Sequence, residues 1–545
     1  MNCFPAEILN QVFMLLHQNQ KIECMLVCHR WAKVIQNRHL LNMIQCSKWN
    51  TFKELVDQFQ QEPSRGYQIQ HLIITLSSEN AIAYSTLLDL FPNLKKICLS
   101  INEHTALFQI EQSHYRLKRS NIEYIKDISN SSFTFHLLSY YQCSRLKTLY
   151  VSATFTNILG KRLIQLLSNC PNLENLNMGE YSITLDDLEQ LHTNTPRLLS
   201  LALPLIQLLP SRYPTPVIPA TAITTCSIIT VNRVCEIEIQ WLRYIRAKYT
   251  NLTSFSYRNV KIRNQADLGR IEREGLKPLV GQLESLSINI KDYGSRFFKT
   301  LEQATFQGEC LDLSGPVQLE ILDTFAHFDR ARCIKSLKLR VRGINTFGWL
   351  KHLVCLTRLE LIFSFPITSY GKVLKETIQI NSFLDMCSDT LESLTLSGVN
   401  LDMEISSVKR VYSIVYLELF SVLLPKNMDS FLSVSLPKLK TLKLQDCALN
   451  GTVIHLPQHS LTHLLISEGE HFKDKYLLLV TDKEKRWYTA KTNIYNRYQS
   501  VIHTFPDYPP FTPPVSLSYD AWGGTPSMTF ICASVNDIML LHPYN

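Results

Sequence analysis

The sequence predicts an α/β solenoid of parallel strand-and-helix units, preceded by a small all-α hairpin. Three observations carry that reading. A short apolar pattern with the period of a strand recurs along most of the chain. Helical apolar runs fall between its copies. The length, 545 residues, exceeds what one compact core usually holds.

The recurring unit is L-x-x-L-x-L, with Ile, Val, Met or Phe as substitutes. Clear copies are Leu94-Ile97-Leu99, Leu146-Leu149-Val151, Leu173-Leu176-Met178, Leu198-Leu201-Leu203, Leu252-Phe255-Tyr257 and Leu283-Leu286-Ile288. Ile334-Leu337-Leu339, Leu356-Leu359-Leu361, Leu391-Leu394-Leu396, Ile414-Leu417-Leu419, Leu439-Leu442-Leu444 and Leu461-Leu464-Ile466 continue the series. Weaker copies fill the gaps at Ile69-Leu72-Ile74, Ile122-Ile125, Cys226-Ile229-Val231 and Leu311-Leu313. The starts run from 69 to 461, which is 392 residues over 15 steps, or about 26 per step. That is the period of a leucine-rich repeat.

The L-x-L core alternates with period two and reads as a short strand with one buried face. Between strands, runs such as Leu159, Leu163, Leu166 and Leu167 keep the spacing of one helical face. The helices stop at breakers such as Cys170-Pro171-Asn172 and Thr195-Pro196. Strand plus helix per unit, stacked in parallel, gives a horseshoe with the strands on its concave face. Asn102 and Cys447 fill the slot where a ladder residue would follow the strand, but most copies lack either, so the repeats are of an irregular type. Val535-Ile538-Leu540 reads as one last copy, with room for two degenerate repeats near Leu477–Val480 and residues 500–503.

Composition narrows the function classes. With 45% apolar and 19% charged residues the chain is globular. Its 15 cysteines show no close C-x-x-C pair, and many, such as Cys98, Cys226 and Cys447, sit where a repeat buries a small residue. They are expected to be reduced core thiols. No signal-peptide pattern opens the chain, and no run approaches the ~20 apolar residues of a membrane span. A net charge of +8 permits an acidic partner without calling for nucleic acid. No phosphate loop, G-x-S-x-G or H-E-x-x-H is present; Gly523-Gly524 is an isolated pair. His455, His459 and His463 are spaced by four, but Pro457 breaks any helix through them, so exposed loop histidines are expected rather than a metal site. Cys24 and Cys28 share a helix face without further ligands and read as packing residues. No catalytic residue, metal or cofactor is expected.

The N-terminal block reads Phe4-Pro5-Ala6-Glu7-Ile8-Leu9, then Val12-Phe13, a polar step over 17–21, and Cys24-Met25-Leu26-Val27-Cys28-His29-Arg30-Trp31. Pro5 and Glu7 suit a helix start. Ile8, Leu9, Val12, Phe13 and Leu16 form one apolar stripe, and Met25, Leu26, Cys28, Trp31, Val34 and Ile35 a second. A hairpin of this size buries too little by itself, and its leftover apolar surface calls for a partner.

This block resembles the F-box, a family that opens with a Leu-Pro-x-Glu-Ile-Leu-x-x-Ile-Phe run and closes with Leu-Val-Cys-Arg-x-Trp. Here the run is Phe4-Pro5, Glu7-Ile8-Leu9 and Val12-Phe13, and the close is Leu26-Val27-Cys28 with Arg30-Trp31. Where the family usually has an acid and then leucine, this chain has Gln20-Lys21-Ile22. The resemblance implies docking on the Skp-type adaptor of a cullin-RING ubiquitin ligase. Pro5, Ile8, Leu9, Val12, Phe13, Leu26, Val27 and Trp31 would be shared between hairpin core and adaptor contact, and the sequence does not divide them. The domain organisation then reads as an F-box-like block over 1–45, a connecting helical segment over 46–68, the leucine-rich-repeat solenoid over 69–469, and degenerate repeats with a cap over 470–545.

The implied function is substrate recognition for an SCF-type ligase in the cytoplasm or nucleus. The F-box would meet the adaptor and, through it, the cullin, while the concave face holds an unidentified target protein. The ubiquitin chemistry would belong to other subunits, and neither nucleic acid nor membrane is an expected partner. The alternative is a leucine-rich-repeat scaffold outside the ligase, with the helical block as a cap. For the target, Lys338, Arg340 and Arg342 alternate along one strand and share its exposed face, with Arg358 at an equivalent position one repeat later and Lys443 further on. Such a patch suits an acidic or phosphorylated segment; a solvated face balanced by Glu360 and Glu418 is the other reading. Pro-rich stretches over 204–219 and 506–514 are read as loops that cannot join the sheet, or as recognition segments.

Overall fold

The computed structural model describes residues 8–9, 12–13, 24–35, 43–46, 49–76, 88, 90–101, 118–128, 133–152, 157–179, 181–213, 216–260, 265–289, 301, 303–304, 306–318, 329–342, 347–363, 377–403, 410–425, 428–445, 447, 453–467, 476–480, 485–492, 500–502 and 528–541. The chain forms two compact units, Met1–Leu279 and Val280–Asn545. Each is a leucine-rich-repeat α/β solenoid.

In the first unit the sheet begins earlier than the period suggests. Met43–Cys46 is already a strand, paired in parallel with His71–Leu76, at the boundary expected to separate two helical segments. The helix Trp49–Gln61 follows, within the expected connecting segment. Parallel pairing then runs through Lys96–Ile101, Tyr124–Asp127, Thr148–Ser152, Asn175–Gly179, Ser200–Leu208, Thr225–Thr230 and Ser254–Asn259. Equivalent repeat positions sit side by side. Leu72, Ile97, Ile125, Leu149, Leu176, Leu201, Cys226 and Phe255 form one buried row. The alternate residues of each strand point to the sheet's open face.

The register corrects one copy. Cys226 pairs with Leu201 and Ile228 with Leu203, so the buried triplet is Ile223-Cys226-Ile228, three residues earlier than Cys226-Ile229-Val231. A run of small and β-branched residues lets two frames score alike, and only the neighbour's leucines decide. In the Ile122-Ile125 copy, the third apolar slot holds Asp127. It is fully buried and accepts from the Thr134 hydroxyl at 2.8 Å, which offsets its loss of water. Cys98, expected in the core, instead faces outward between Ile97 and Leu99 and is half-buried.

The same hydrogen bonds recur at strand entrances. One carbonyl takes two successive N–H groups from the next repeat: Gln70 from Lys95 and Lys96, Lys95 from Glu123 and Tyr124, Glu123 from Lys147 and Thr148. Asparagines just before several strands brace the step. Asn93 donates to the Tyr67 carbonyl at 2.8 Å, Asn172 to Ser144 at 2.6 Å and Asn251 to Thr221 at 2.9 Å. These side chains satisfy turn carbonyls that the ladder does not reach. The helices also stop as expected, with Cys170 and Thr195 as C-caps; Thr184 opens the helix Leu185–Asn194 through a capping box with Asp187.

The strand Ser200–Leu208 runs straight through Pro204, which overturns the expectation that this proline stretch lies wholly outside the sheet. Leu205 takes a left-handed conformation at φ 55°, and the register shifts between Leu203 and Ile206. The bulge frees the proline position from the ladder, which a residue without an N–H requires. The stretch 506–514 lies outside the described residues.

The second unit repeats the design. Ser285–Asn289, Cys310–Gln318, Ser336–Arg342, Arg358–Phe363, Ser393–Ser397, Tyr416–Phe420, Thr441–Gln445 and Val453–Ser467 pair in parallel. The doubled carbonyl recurs too: Glu309 takes Lys335 and Ser336, and Lys335 takes Thr357 and Arg358. The last copy falls where the pattern puts it, with Leu461, Leu464 and Ile466 paired to Val535, Ile538 and Leu540. Val453–Ser467 pairs directly with Met528–Leu541; Tyr476–Val480 also pairs in parallel with Met528–Leu541 and antiparallel with Lys485–Thr492, which in turn pairs antiparallel with Ser500–Ile502. His455, His459 and His463 lie on the strand Val453–Ser467 rather than in a loop. His459 is buried, and its Nε2 sits 2.8 Å from the Leu436 carbonyl, so it packs the strand against the repeat before it.

Candidate functional site

Two surfaces carry the residues singled out from sequence. The first is the N-terminal hairpin. Residues 8–9 and 12–13 are helical, and His29–Ile35 forms a second helix. Leu9, Phe13 and Ile35 make a buried cluster, with Cys24, Met25, Trp31 and Val34 packed against it. The apolar stripe is therefore divided. Leu9 and Phe13, four residues apart, turn inward, and Trp31 meets Phe13 edge-on. Ile8 and Val12, the neighbouring pair on the same helix, turn outward at 43% and 46% exposure. Leu26 and Val27, in the turn before the second helix, are 86% and 58% exposed. Pro5 lies outside the described residues.

Four large apolar side chains left in water beside so small a core are a specific signal. Scattered exposed leucines need no explanation, but a pair at i and i+4 with two more in the turn just before His29–Ile35 is the pattern of an unfilled contact. Each would contribute about 1.5–3 kcal/mol if fully covered. Sequence periodicity did not separate these roles because both pairs fit one broad stripe.

The second surface is the open face of the second unit. Lys338 pairs in register with Glu360, then Thr395, Glu418 and Lys443. The row is preceded by Asp312. Charges of both signs thus share one line, with Thr395 between the two glutamates. Lys338 Nζ lies 2.6 Å from Glu360 Oε1. Lys443 Nζ sits 5.1 Å from the Tyr416 ring centroid, Tyr416 donates to Glu418, and Gln445 donates to the other Glu418 oxygen at 2.7 Å. The Tyr416 hydroxyl first, and then the Glu418 charge, hold the Lys443 ammonium above its ordinary range against the opposing effect of burial.

Arg340 is exposed one position further along its strand. The Arg342 backbone is in the strand, opposite Gln318, and its side chain lies outside the described residues. Arg358 corrects the register read from sequence: it pairs with Ser336, not Lys338, and shares the open face one step back. Among the described residues neither Arg340 nor Arg358 forms an ion pair, whereas Lys338 is matched within the row. Glu360, expected as a balancing charge, is the in-register partner of Lys338, whereas the cross-strand contacts Lys443–Tyr416 and Gln445–Glu418 leave no pattern along the chain.

A third surface was missed altogether. On the first unit's open face, Lys96 Nζ lies over the Tyr124 ring, 4.7 Å from its centroid, and Tyr124 and Tyr150 are neighbours with centroids 5.9 Å apart. Among the described residues no group of three His, Cys, Asp or Glu side chains is placed to hold a metal, and no helix is long and apolar enough to cross a membrane.

No protein-family model matches the chain. No curated protein matches it. Among solved structures, the TLR13–ssRNA13 complex is similar over 74% of this chain and 61% of that chain, at 14% identity and a TM-score of 0.38. This chain thus spans less than two thirds of that protein's length. The repeat assignment rests on the chain's own register and hydrogen bonds.

Proposed function

We propose that the chain is a non-catalytic substrate receptor of an SCF-type ubiquitin ligase, working in the cytoplasm or nucleus. The hairpin would dock on a Skp-type adaptor, and the repeat sheet would hold the target protein. One observation carries the reading: in the block that resembles an F-box, Ile8, Val12, Leu26 and Val27 stand exposed while Leu9 and Phe13 close the core. Apolar anchors of this kind supply most of the affinity when a helical surface fills a groove. A row of strand positions free of packing duties suits the target side. Such a subunit acts by proximity and needs no nucleophile of its own.

A second reading has an observation of its own. The strand Met43–Cys46 follows the hairpin closely and joins the sheet, as expected if the helical block caps a free-standing repeat protein. Removing residues 1–35, which leaves that strand in place, separates the two. A docking module leaves the repeats folded and abolishes adaptor association; a cap lowers the melting temperature of the repeats and changes no adaptor contact.

A further inference from the structure

We propose that the first unit's open face, around Lys96, Lys126, Tyr124 and Tyr150, is a binding site for an acidic, carboxylate-rich peptide segment of the target. The proposal rests on reading the repeats as the target-binding half and is independent of the adaptor.

Three observations converge there. The first is charge. Across every described strand of the first unit from Met43 to Asn259, no Asp or Glu occupies an outward position; the one strand carboxylate, Asp127, is turned inward and buried. Lys126 is exposed and Lys96 half-buried, and neither has an ion pair among the described residues. This contrasts with the second unit, where Lys338 meets Glu360.

The second is a built platform. Lys96 and Tyr124 lie in adjacent strands, as do Lys126 and Tyr150. The Tyr124 ring supports the Lys96 ammonium and stands beside Tyr150. Rings and ammonium groups alternate, so a peptide can lay its stem on the aromatic faces and bring carboxylates to the cations. Cys98 pairs in register with Lys126 and is flanked by Lys96 in its own strand. Burial raises its thiol, while the charges of Lys96 and Lys126 pull it back, as expected if both ammonium groups bear on this spot.

The third is extent. In the two strands that follow Tyr150 the outward positions level with it are neutral, Asn175, Asn177, Ser200 and Ala202, and the next outward cation is Arg258, two strands further on. His71, on the other side, is held below its ordinary range by burial first and then by Lys96 and Lys95, so it adds no charge near neutral pH. Two cations followed by amides and hydroxyls fit a short extended peptide. A nucleic acid would call for a longer basic track.

The test uses the purified full-length chain and fluorescent peptides, read by anisotropy. The probes are an Asp/Glu-rich peptide, its Asn/Gln isostere, a phosphoserine version of that isostere, and a single-stranded oligonucleotide. The expected result is saturable binding of the acidic peptide that weakens with salt. The pair Lys96→Gln and Lys126→Gln should lower its affinity by at least about tenfold, with melting unchanged; Lys126→Arg should retain it, and Lys338→Gln should leave it unaltered. Equal binding of the isostere, binding unaffected by the lysine variants, or preference for the phosphopeptide or the oligonucleotide would each overturn the proposal. Since no adaptor is present, its failure is separate from failure of the ligase reading.

Discussion

Phe13 and Trp31 meet edge-on, with ring centroids 5.4 Å apart and planes inclined at 74°. This contact joins the two segments by which the N-terminal block resembles an F-box. It also fixes which side chains the hairpin keeps for itself. Phe13→Ala should destabilise the hairpin by about 3–5 kcal/mol, seen as faster amide exchange over residues 24–35. Ile8→Ala, on the outward side, should change that exchange little. Equal effects would mean that the inward and outward roles are wrongly divided.

A pH dependence is built into the first unit. Glu238 is fully buried and accepts from the Thr230 hydroxyl at 2.7 Å, the Tyr257 hydroxyl at 2.7 Å and the Asn259 amide at 3.0 Å. Burial pushes its carboxyl up to about 7, against the lowering effect of these three donors. The folded state therefore binds a proton that the unfolded chain releases at its ordinary, lower value. This stabilisation is full below the ordinary glutamate range and is lost as pH rises from there to about 7, by roughly 3 kcal/mol in total. Glu238→Gln should flatten that part of the stability–pH curve, and thermal melting from pH 4.5 to 8 checks it.

The ion pair Lys338–Glu360 should matter little for stability. It lies on the open face, with the lysine side chain 36% exposed. A double-mutant cycle with Lys338→Ala and Glu360→Ala should give a coupling of about 0.2–1 kcal/mol that shrinks in high salt. A coupling of several kcal/mol would mark the pair as a structural strut.

The asparagine braces should be worth more than their exposure suggests. Asn172→Ala leaves the Ser144 carbonyl without its 2.6 Å partner. The expected loss is about 1–3 kcal/mol, larger if water cannot reach the carbonyl. Chemical denaturation of Asn172→Ala beside Asn172→Asp, which keeps the size and removes the donor, isolates the hydrogen bond.

Much of this architecture was legible in the residues. The triplets from Leu94 to Ile466 predicted their strands, and Val535-Ile538-Leu540 took its place beside Leu461-Leu464-Ile466 despite the 74 residues between their starts. The misses share one physical cause: they depend on what lies across the sheet rather than along the chain. Cys226 takes its frame from Leu201. Lys96 takes its platform from Tyr124, 28 residues away in sequence. The asparagine struts stand in the slot before the strand, where the repeat pattern has no fixed residue, and not in the one after it. Pro204 enters a strand because a bulge admits what a regular ladder excludes.

If outward apolar residues of the hairpin hold a Skp-type adaptor, the full-length chain should co-purify with that adaptor through them. Leu26→Asp with Val27→Asp puts charge on residues that take no part in the Leu9–Phe13–Ile35 core. The native chain should retain the adaptor through size exclusion, and the double variant should lose it while its melting curve is unchanged. No association of the native chain, or association undiminished in the variant, would contradict it.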